Sequence, residues 1–490
     1  GQGFYDLAIA VSPTDANYQN LTISGADVNQ DQKDLKVNEK TTVTTTGKLT
    51  LPETGDNVES YVLTAKKGLF VTGSGTALFK SGAQLMQNAL ITNTGNITME
   101  RKANVPSKQY NYWSSPVKNQ VLYDLYPYVP WNRVMVYNTA TDFFTILPKA
   151  GNPTSEFGKG YSIKGPTSGG DAITASFVGV PNNESATAVS NEIPLAISGN
   201  RYNLIGNPFP SNLDITKVYS GNTPQFESTE NTVYFWDNES NTDLVQMGSG
   251  YTSQNNYATM NAATGMGTPA TRSTPGEKVP IANIKPGQGF IMKASATASK
   301  LVLANTMRTS LLGGTGVYYK GANDLDKFWL QLTTPENMRI VIAAGYYQNA
   351  ENTFEPYDSP IFDEGVTENF YSLSTDNKKL NIQARKGPFD ISDMIPLTAK
   401  IHINGNAKIS LYQKEGVFDN GQAIYLHDKL NGTYINLNEG SYNFAAIAGN
   451  IENRFEIVYK PESVLATGEN IKDDLIVYRN GEDFIVQSGR

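Results

Sequence analysis

Residues 68–86 read Gly68-Leu-Phe-Val-Thr72, then Gly75-Thr-Ala-Leu-Phe79, then Gly82-Ala-Gln-Leu-Met86: three glycines seven residues apart, each followed by a short apolar run. The unit recurs on both sides, as Gly47-Lys-Leu-Thr-Leu51 and Gly95-Asn-Ile-Thr-Met99, and Gly47 stands twenty-one residues before Gly68. A turn glycine followed by a strand at such spacing suits the rungs of a parallel β-solenoid, where each turn of chain stacks on the one before. A meander of short hairpins is the competing reading. The turns lack the Asn-Gly and Asp-Gly pairs that tight hairpins prefer, which favours the solenoid.

Upstream, Phe4, Leu7, Ile9 and Val11 alternate with polar residues before the chain turns polar through Asp27-Val-Asn-Gln-Asp31-Gln-Lys-Asp34. Asp27, Asn29 and Asp31 match the first three oxygen positions of a calcium loop. Gln32 occupies the place of the obligatory glycine and Asn38 that of the closing glutamate. Calcium is therefore one candidate there, and a solvated turn the other.

Downstream, Tyr110-Asn-Tyr-Trp-Ser-Ser-Pro-Val117 marks a change to longer, more aromatic strands. It reads as a first sandwich strand, with Trp113 in the core and Pro116 ending the pairing. Further strands are expected over 131–137, 160–164, 173–180, 201–205, 232–236 and 289–293, with Pro/Gly/Asn turns between them. A long loop, 237–280, is rich in Gly, Thr, Ser and Asn. After a Leu-Leu-Gly-Gly-Thr-Gly linker at 311–316, a second series of strands begins with Phe328-Trp-Leu-Gln-Leu332. The expected class is all-β: solenoid-like repeats over 1–104, a jelly-roll-like β-sandwich over 105–312, a second over 313–460, and a spacer with two last strands over 461–490.

Composition narrows the function. Of 490 residues, 27 are Tyr and 20 Phe against 2 His, there is no Cys, and the net charge is −8. The pI is near 5.1 and the mean hydropathy −0.38. Without a Lys/Arg block, no footprint for nucleic acid or an anionic membrane is present. The lack of cysteine excludes disulfides, thiolate metal sites and a cysteine nucleophile together. No apolar run approaches the roughly 18–20 residues of a membrane span, and no signal-peptide pattern follows Gly1, so the sequence reads as a mature or trimmed form.

Candidate chemistry is sparse. His402 alternates with two isoleucines, His427 stands beside Asp428, and no Gly-x-Ser-x-Gly elbow accompanies either. Asp237 and Glu239, beside Trp236, are the best local pair for glycoside hydrolysis, against a solvated turn as the plainer reading. Asn241 and Asp243 extend that turn into a weak second calcium pattern. The Gly-x-Gly elements Gly158-Lys-Gly-Tyr161 and Gly287-Gln-Gly-Phe290 precede strands, not helices, so they read as tight turns and not phosphate loops. Trp113, Trp131, Trp236, Tyr251 and Tyr257 are candidates for stacking on sugar rings, with Trp236, Tyr251 and Tyr257 beside the long loop.

Several stretches together carry a family resemblance: Gly95-Asn-Ile-Thr-Met-Glu-Arg101, Tyr112-Trp-Ser-Ser-Pro116, Gly158-Lys-Gly-Tyr161, Ile205-Gly-Asn-Pro-Phe-Pro210, Tyr234-Phe-Trp-Asp237, Gly287-Gln-Gly-Phe290, Tyr425-Leu-His-Asp-Lys429, and Tyr442-Asn-Phe444 with Arg454-Phe455. In this order they resemble C-terminal regions of large surface proteins of gliding Bacteroidetes, the cargo of the type IX secretion system. The resemblance spans about residues 45–460. It implies an extracellular or cell-surface, non-enzymatic structural or adhesive protein, gliding motility among its associations, with the outer-membrane translocon as partner and surface glycans or other surface proteins as ligands. An accessory, carbohydrate-binding region of a secreted polysaccharide-degrading enzyme is the alternative. The family's chains end in a β-sandwich sorting domain, and Asp473–Tyr478 with Asp483–Gln487 resemble its opening strands, cut off at Arg490.

Overall fold

A computed structural model describes residues 17–31, 33–55, 60–106, 109–186, 191–238, 246–247, 250–251, 257–273, 278–310, 326–362, 366–461, 475–480 and 483–488. About 47% of the chain is strand and one α-helix is present among the described residues, as expected of an all-β protein. The chain divides into two compact units, 1–321 with 355–363, and 322–354 with 364–490.

The first unit begins with strands that pair in parallel across successive passes of the chain. Asn17–Tyr18, Asp34–Val37, Val62–Ala65 and Gln84–Met86 form one sheet, and Leu21–Ser24, Thr41–Thr44 and Leu69–Val71 a second. Asp27–Asn29, Lys48–Leu51, Thr76–Phe79 and Ile97–Asn104 form a third. The registers align apolar residues in columns: Leu35, Leu63 and Leu85; Ile23, Val43 and Val71; Leu51, Phe79 and Met99. All nine are buried. Because side chains alternate along a strand, each Leu-x-Leu, Leu-x-Val or Leu-x-Ile spacing sends both apolar groups inward. Each fully buried aliphatic side chain contributes roughly 1.5–3 kcal/mol.

The glycines fall at corners, but not as five copies of one corner. Gly47, Gly75 and Gly95 lie against the backbone carbonyls of Ile23, Val43 and Val71, one pass earlier. Gly68 and Gly82 open strands of the other two sheets. Of the three calcium candidates, Asp27 and Asn29 lie in the strand Asp27–Asn29 and Asp31 lies in the connection after it. Asp27 and Asn29 are both exposed on its outer side, and Asp27 pairs with Lys48 at 3.2 Å. An extended strand holds such residues apart, whereas a calcium loop curls them onto one ion.

Three devices close the last pass. Ile97–Asn104 pairs antiparallel with Ala172–Gly179 over its whole length. The Leu69 N–H donates to the Asn93 side chain at 2.9 Å, and the Asn93 amide donates to Gln87 and to the Pro181 carbonyl. The Leu85 N–H donates to the Pro210 carbonyl at 2.7 Å, while the buried Arg308 guanidinium donates to the Leu85 carbonyl. Arg308 also reaches Ser211, Asn183 and Asn305, and burial pulls its pKa down to about 9. One apolar core therefore runs from Leu21 to Phe177, and the expected boundary at residue 104 falls inside it.

Tyr110–Trp113 is a strand, as expected, and pairs with Tyr161–Lys164. Trp113 is 3% exposed, packed on Tyr126 and Phe177. The two Gly-x-Gly elements do start strands, and they meet the quoted Ser-Ser-Pro and Gly-Asn-Pro stretches. Ser114 N–H donates to Gly287 O, Asn207 N–H to Gln288 O, and Gly206 N–H to Gly158 O. A Cβ at Gly206 would strike Gln288 O and Ser114, which is why backbone can pass so close there. Tyr202–Gly206, Gly289–Lys293, Thr232–Trp236, Tyr257–Asn261 and Gly267–Thr268 then form an antiparallel sheet. The helix Ile215–Asn222, not expected from the sequence, is capped by Asp214, whose carboxylate accepts from Thr216 N–H at 3.0 Å.

Residues 355–363, expected to lie inside a domain spanning 313–460, belong to the first unit. The Asn231 and Asn261 amides donate to the Pro356 carbonyl at 3.1 and 3.0 Å, and Phe362 packs on Tyr234 with ring centroids 4.5 Å apart.

In the second unit a sheet runs in the order Thr433–Asn436, Tyr425–Asp428, Gly449–Val458, Met394–Ile401, Asn369–Leu373, Lys379–Lys386, Arg339–Tyr347, Lys327–Thr333, Gly405–Glu415, Tyr442–Ala446. Leu426 and Phe444, near opposite ends of this order, share one core with Phe328, Ile409 and Phe455, so the sheet curls back on itself. Asp428 is wholly buried at this closure, where Arg454 Nη2 and Tyr442 Oη donate to it at 2.7 and 2.8 Å and Leu430 N–H at 3.0 Å. Burial opposes its charge, yet these donors hold its carboxyl below the ordinary range. Leu475–Asn480 and Asp483–Ser488 pair as an antiparallel hairpin. The linker at 311–316 lies outside the described residues.

Two outcomes follow. Gly95 (φ +77°) and Gly170 (φ +87°) share a left-handed backbone, but a Cβ overlaps Val71 O only at Gly95. Urea unfolding should show Gly170→Ala costing about 1–2 kcal/mol and Gly95→Ala clearly more. Because the Asp428 pKa is depressed on folding, its stabilisation is present above the unfolded carboxylate value, near 3.9, and is lost as pH falls through the folded one. Asp428→Asn should lower stability at pH 7 and flatten its acid dependence, read as the unfolding midpoint from pH 7 to 3.

Candidate functional site

The first unit has an open cleft of about 520 Å³ where the last parallel pass meets the aromatic strands. Strands from three sheets of this unit line it. Tyr112 and Trp113 enter from Tyr110–Trp113, Phe235 and Trp236 from Thr232–Trp236, and Glu100, Arg101 and Lys102 from the outer half of Ile97–Asn104. Lys278 and Lys285 complete the basic wall.

The wall is held by polar contacts. Arg272 clamps Asp237 through three contacts of 2.8–3.1 Å, and both side chains are almost entirely buried. The Asn238 amide spans Asn104 O at 2.7 Å and Asn111 Oδ1 at 2.6 Å. Arg101 Nη1 donates to Pro286 O at 2.9 Å, and Lys102 pairs with Glu53 at 2.7 Å. Indole N–H groups of Trp113 and Trp236 are buried with no acceptor among the described residues.

Behind the cleft the aromatic side chains form a cluster. Tyr257 lies opposite Trp236 in register, their rings edge to face at 5.3 Å, and the Tyr112 and Tyr257 hydroxyls are 2.8 Å apart. Burial pushes the Tyr257 phenol up to about 12. Glu230 accepts from Tyr202 and Tyr234, each at 2.7 Å, and from Lys293 at 2.6 Å.

The structure treats the sequence candidates differently. Trp236 and Tyr257 are half-buried in the cluster and do not stand out as open platforms. Tyr251 lies on the short strand Gly250–Tyr251, its side chain outside the described residues, as are Glu239, Asn241 and Asp243. Asp237 is a buried ion-pair partner. Trp131 is the exposed tryptophan, 63% accessible, with Lys149 Nζ 5.7 Å above its ring. His402 meets Glu336 at 2.7 Å, and His427 meets Glu456 at 2.8 Å while stacking on Tyr434 at 4.1 Å. Among the described residues no group of three or more His, Asp or Glu side chains could hold a metal. Sequence reasoning missed Arg101, Lys102, Arg272 and Lys278. The charged triplet Glu100-Arg-Lys102, inside an otherwise alternating strand, was the available signal.

Removing one partner of a buried pair leaves an uncompensated charge. Arg272→Met should therefore destabilise the chain by about 3–5 kcal/mol, and Asp237→Leu combined with it should restore most of that loss, measured by chemical denaturation as a double-mutant cycle.

Comparisons with curated proteins and with solved structures return no match. A family model matches residues 11–459, reaching into both units. The chain belongs to that family, described as a domain of unknown function, DUF8693.

Proposed function

We propose that this chain is a non-enzymatic structural or adhesive protein of the cell surface, exported by the type IX secretion machinery. The parallel passes of 17–104 act as a β-solenoid, and the antiparallel sheets of 110–309 and of the second unit act as β-sandwiches. Aligned apolar columns and the curled sheet of the second unit support that reading. The observation that carries the absence of chemistry is where the titratable candidates go. Asp237, His402 and His427 each meet an oppositely ionising partner, in Arg272, Glu336 and Glu456. The Asp237–Arg272 pair is almost wholly buried, whereas a general acid or base must reach a substrate proton.

A second reading, an accessory carbohydrate-binding region of a secreted enzyme, is favoured by the exposed Trp131 and by the amide lining of the cleft. Antibody labelling of intact cells that make the protein, beside cells lacking the type IX outer-membrane translocon, tests the address. Surface signal lost in the translocon mutant is expected. Signal confined to the cytoplasm of both strains would overturn the proposal.

A further inference from the structure

We propose that the loop 127–133 carries a saccharide-binding platform, with one sugar ring of a glycan stacked on Trp131 and a neighbouring unit reaching Tyr128. The inference rests on the reading of this region as a carbohydrate binder, but not on its cellular address. Exposure, backbone and surroundings support it together.

Trp131 is 63% and Tyr128 62% accessible, whereas Trp113 and Trp329 are buried. Neither exposed ring is part of the core beneath the loop, so that core does not account for them. Large rings left in water forgo the gain of burial, and their amphipathic faces suit the C–H faces of sugars.

The backbone under them is strained and fixed. Tyr128 has φ +63°, a left-handed conformation that a bulky residue rarely adopts, and strain of this kind gathers at binding sites. Thr167 N–H donates to Tyr128 O at 3.1 Å, Arg133 N–H to Pro130 O at 3.2 Å, and Lys164 N–H to Arg133 O at 3.1 Å. Asn132, also left-handed at φ +55°, accepts from Lys149 N–H through its side chain at 3.2 Å. The Lys149 ammonium lies 5.7 Å from the centre of the Trp131 ring and 5.6 Å from that of Tyr123. Trp131 is thus braced by a cation while most of its surface stays open, and a platform held this way loses little freedom when it binds.

The surroundings favour a sugar over a protein. The segments against the loop, 149–152 and 167–171, read Lys-Ala-Gly-Asn and Thr-Ser-Gly-Gly-Asp, and all of them are exposed. Gly169 passes beside the Tyr128 ring, a Cβ there lying 3.5 Å from it. A protein partner is met by a fully buried apolar patch, whereas a glycan is met by single rings with polar groups around them. Lys149 and the exposed Arg133 supply N–H donors for glycan oxygens.

Affinity electrophoresis of the purified full chain tests the proposal, in native gels cast with laminarin, xylan, mannan, dextran or polygalacturonate and in one without polysaccharide. Retardation by at least one polysaccharide is expected. Trp131→Ala should weaken it about tenfold, Trp131→Phe less, and neither should move the thermal midpoint, because the ring lies outside the core. Tyr128→Gly should also weaken retention while holding or raising the thermal midpoint, since glycine takes the left-handed backbone without strain. A role confined to folding predicts the opposite for that variant. Retardation that Trp131→Ala leaves intact refutes the platform and moves carbohydrate binding elsewhere on the chain. Free migration in every gel refutes both the platform and the carbohydrate-binding reading, whatever the surface labelling shows.

Discussion

A stack of parallel strands cannot simply stop, because its last strand presents a row of unpaired N–H and C=O groups. In this protein the strands Gln84–Met86, Leu69–Val71 and Ile97–Asn104 each meet that constraint differently, with Arg308 and Pro210, with Asn93, and with the antiparallel strand Ala172–Gly179. The rest of the first unit is arranged to deliver these partners. Arg308 comes from a point more than two hundred residues beyond Leu85, and its guanidinium spans Ser211, Asn183 and Asn305 as well. The edge of the repeats consequently shares one core with the strands Tyr110–Trp113 and Tyr161–Lys164.

The same economy explains the fate of the ionisable groups. Asp237 with Arg272, Asp428 with Arg454 and Tyr442, and Glu230 with two tyrosines and Lys293 are buried nodes in which every charge has a partner. Buried charges of this kind fix how strands meet more than they add net stability. The quoted stretches Tyr425–Lys429, Tyr442–Phe444 and Arg454–Phe455 gather at one such node: Arg454 also lies over the Phe444 and Phe455 rings, at 5.0 and 4.7 Å. What reads along the chain as scattered motifs is, in the second unit, a single closure.

Much of the strand inventory was legible locally. Alternating apolar residues at Leu49 and Leu51, or Ala77 and Phe79, declare a strand and its buried face, since period-two patterning is a property of neighbours in sequence. Turn glycines at Gly47, Gly75 and Gly95 declared corners. Their equivalence was not legible, because 7-residue spacing among Gly68, Gly75 and Gly82 is a coincidence of strand plus turn lengths around one pass. The helix Ile215–Asn222 was hidden by its brevity and by three poor helix formers, Thr, Ser and Gly, with its Asp214 cap as the remaining cue. In the calcium pattern Asp27 and Asn29 sit on an extended strand, and only Asp31 lies in the connection after it.

The amino-acid sequence by itself determined the class of structure, the inward face of each strand, and the exclusion of disulfide and thiolate chemistry, because all of these follow from residue identity and its local period. Only the tertiary structure decided which glycines are equivalent, where Arg308 finds its carbonyl, that Asp237 is held by Arg272, that residues 355–363 belong with the first unit, and that Arg101, Lys278 and Trp236 line one cleft. Those facts depend on contacts between residues tens to hundreds of positions apart, for which no local pattern carries the information.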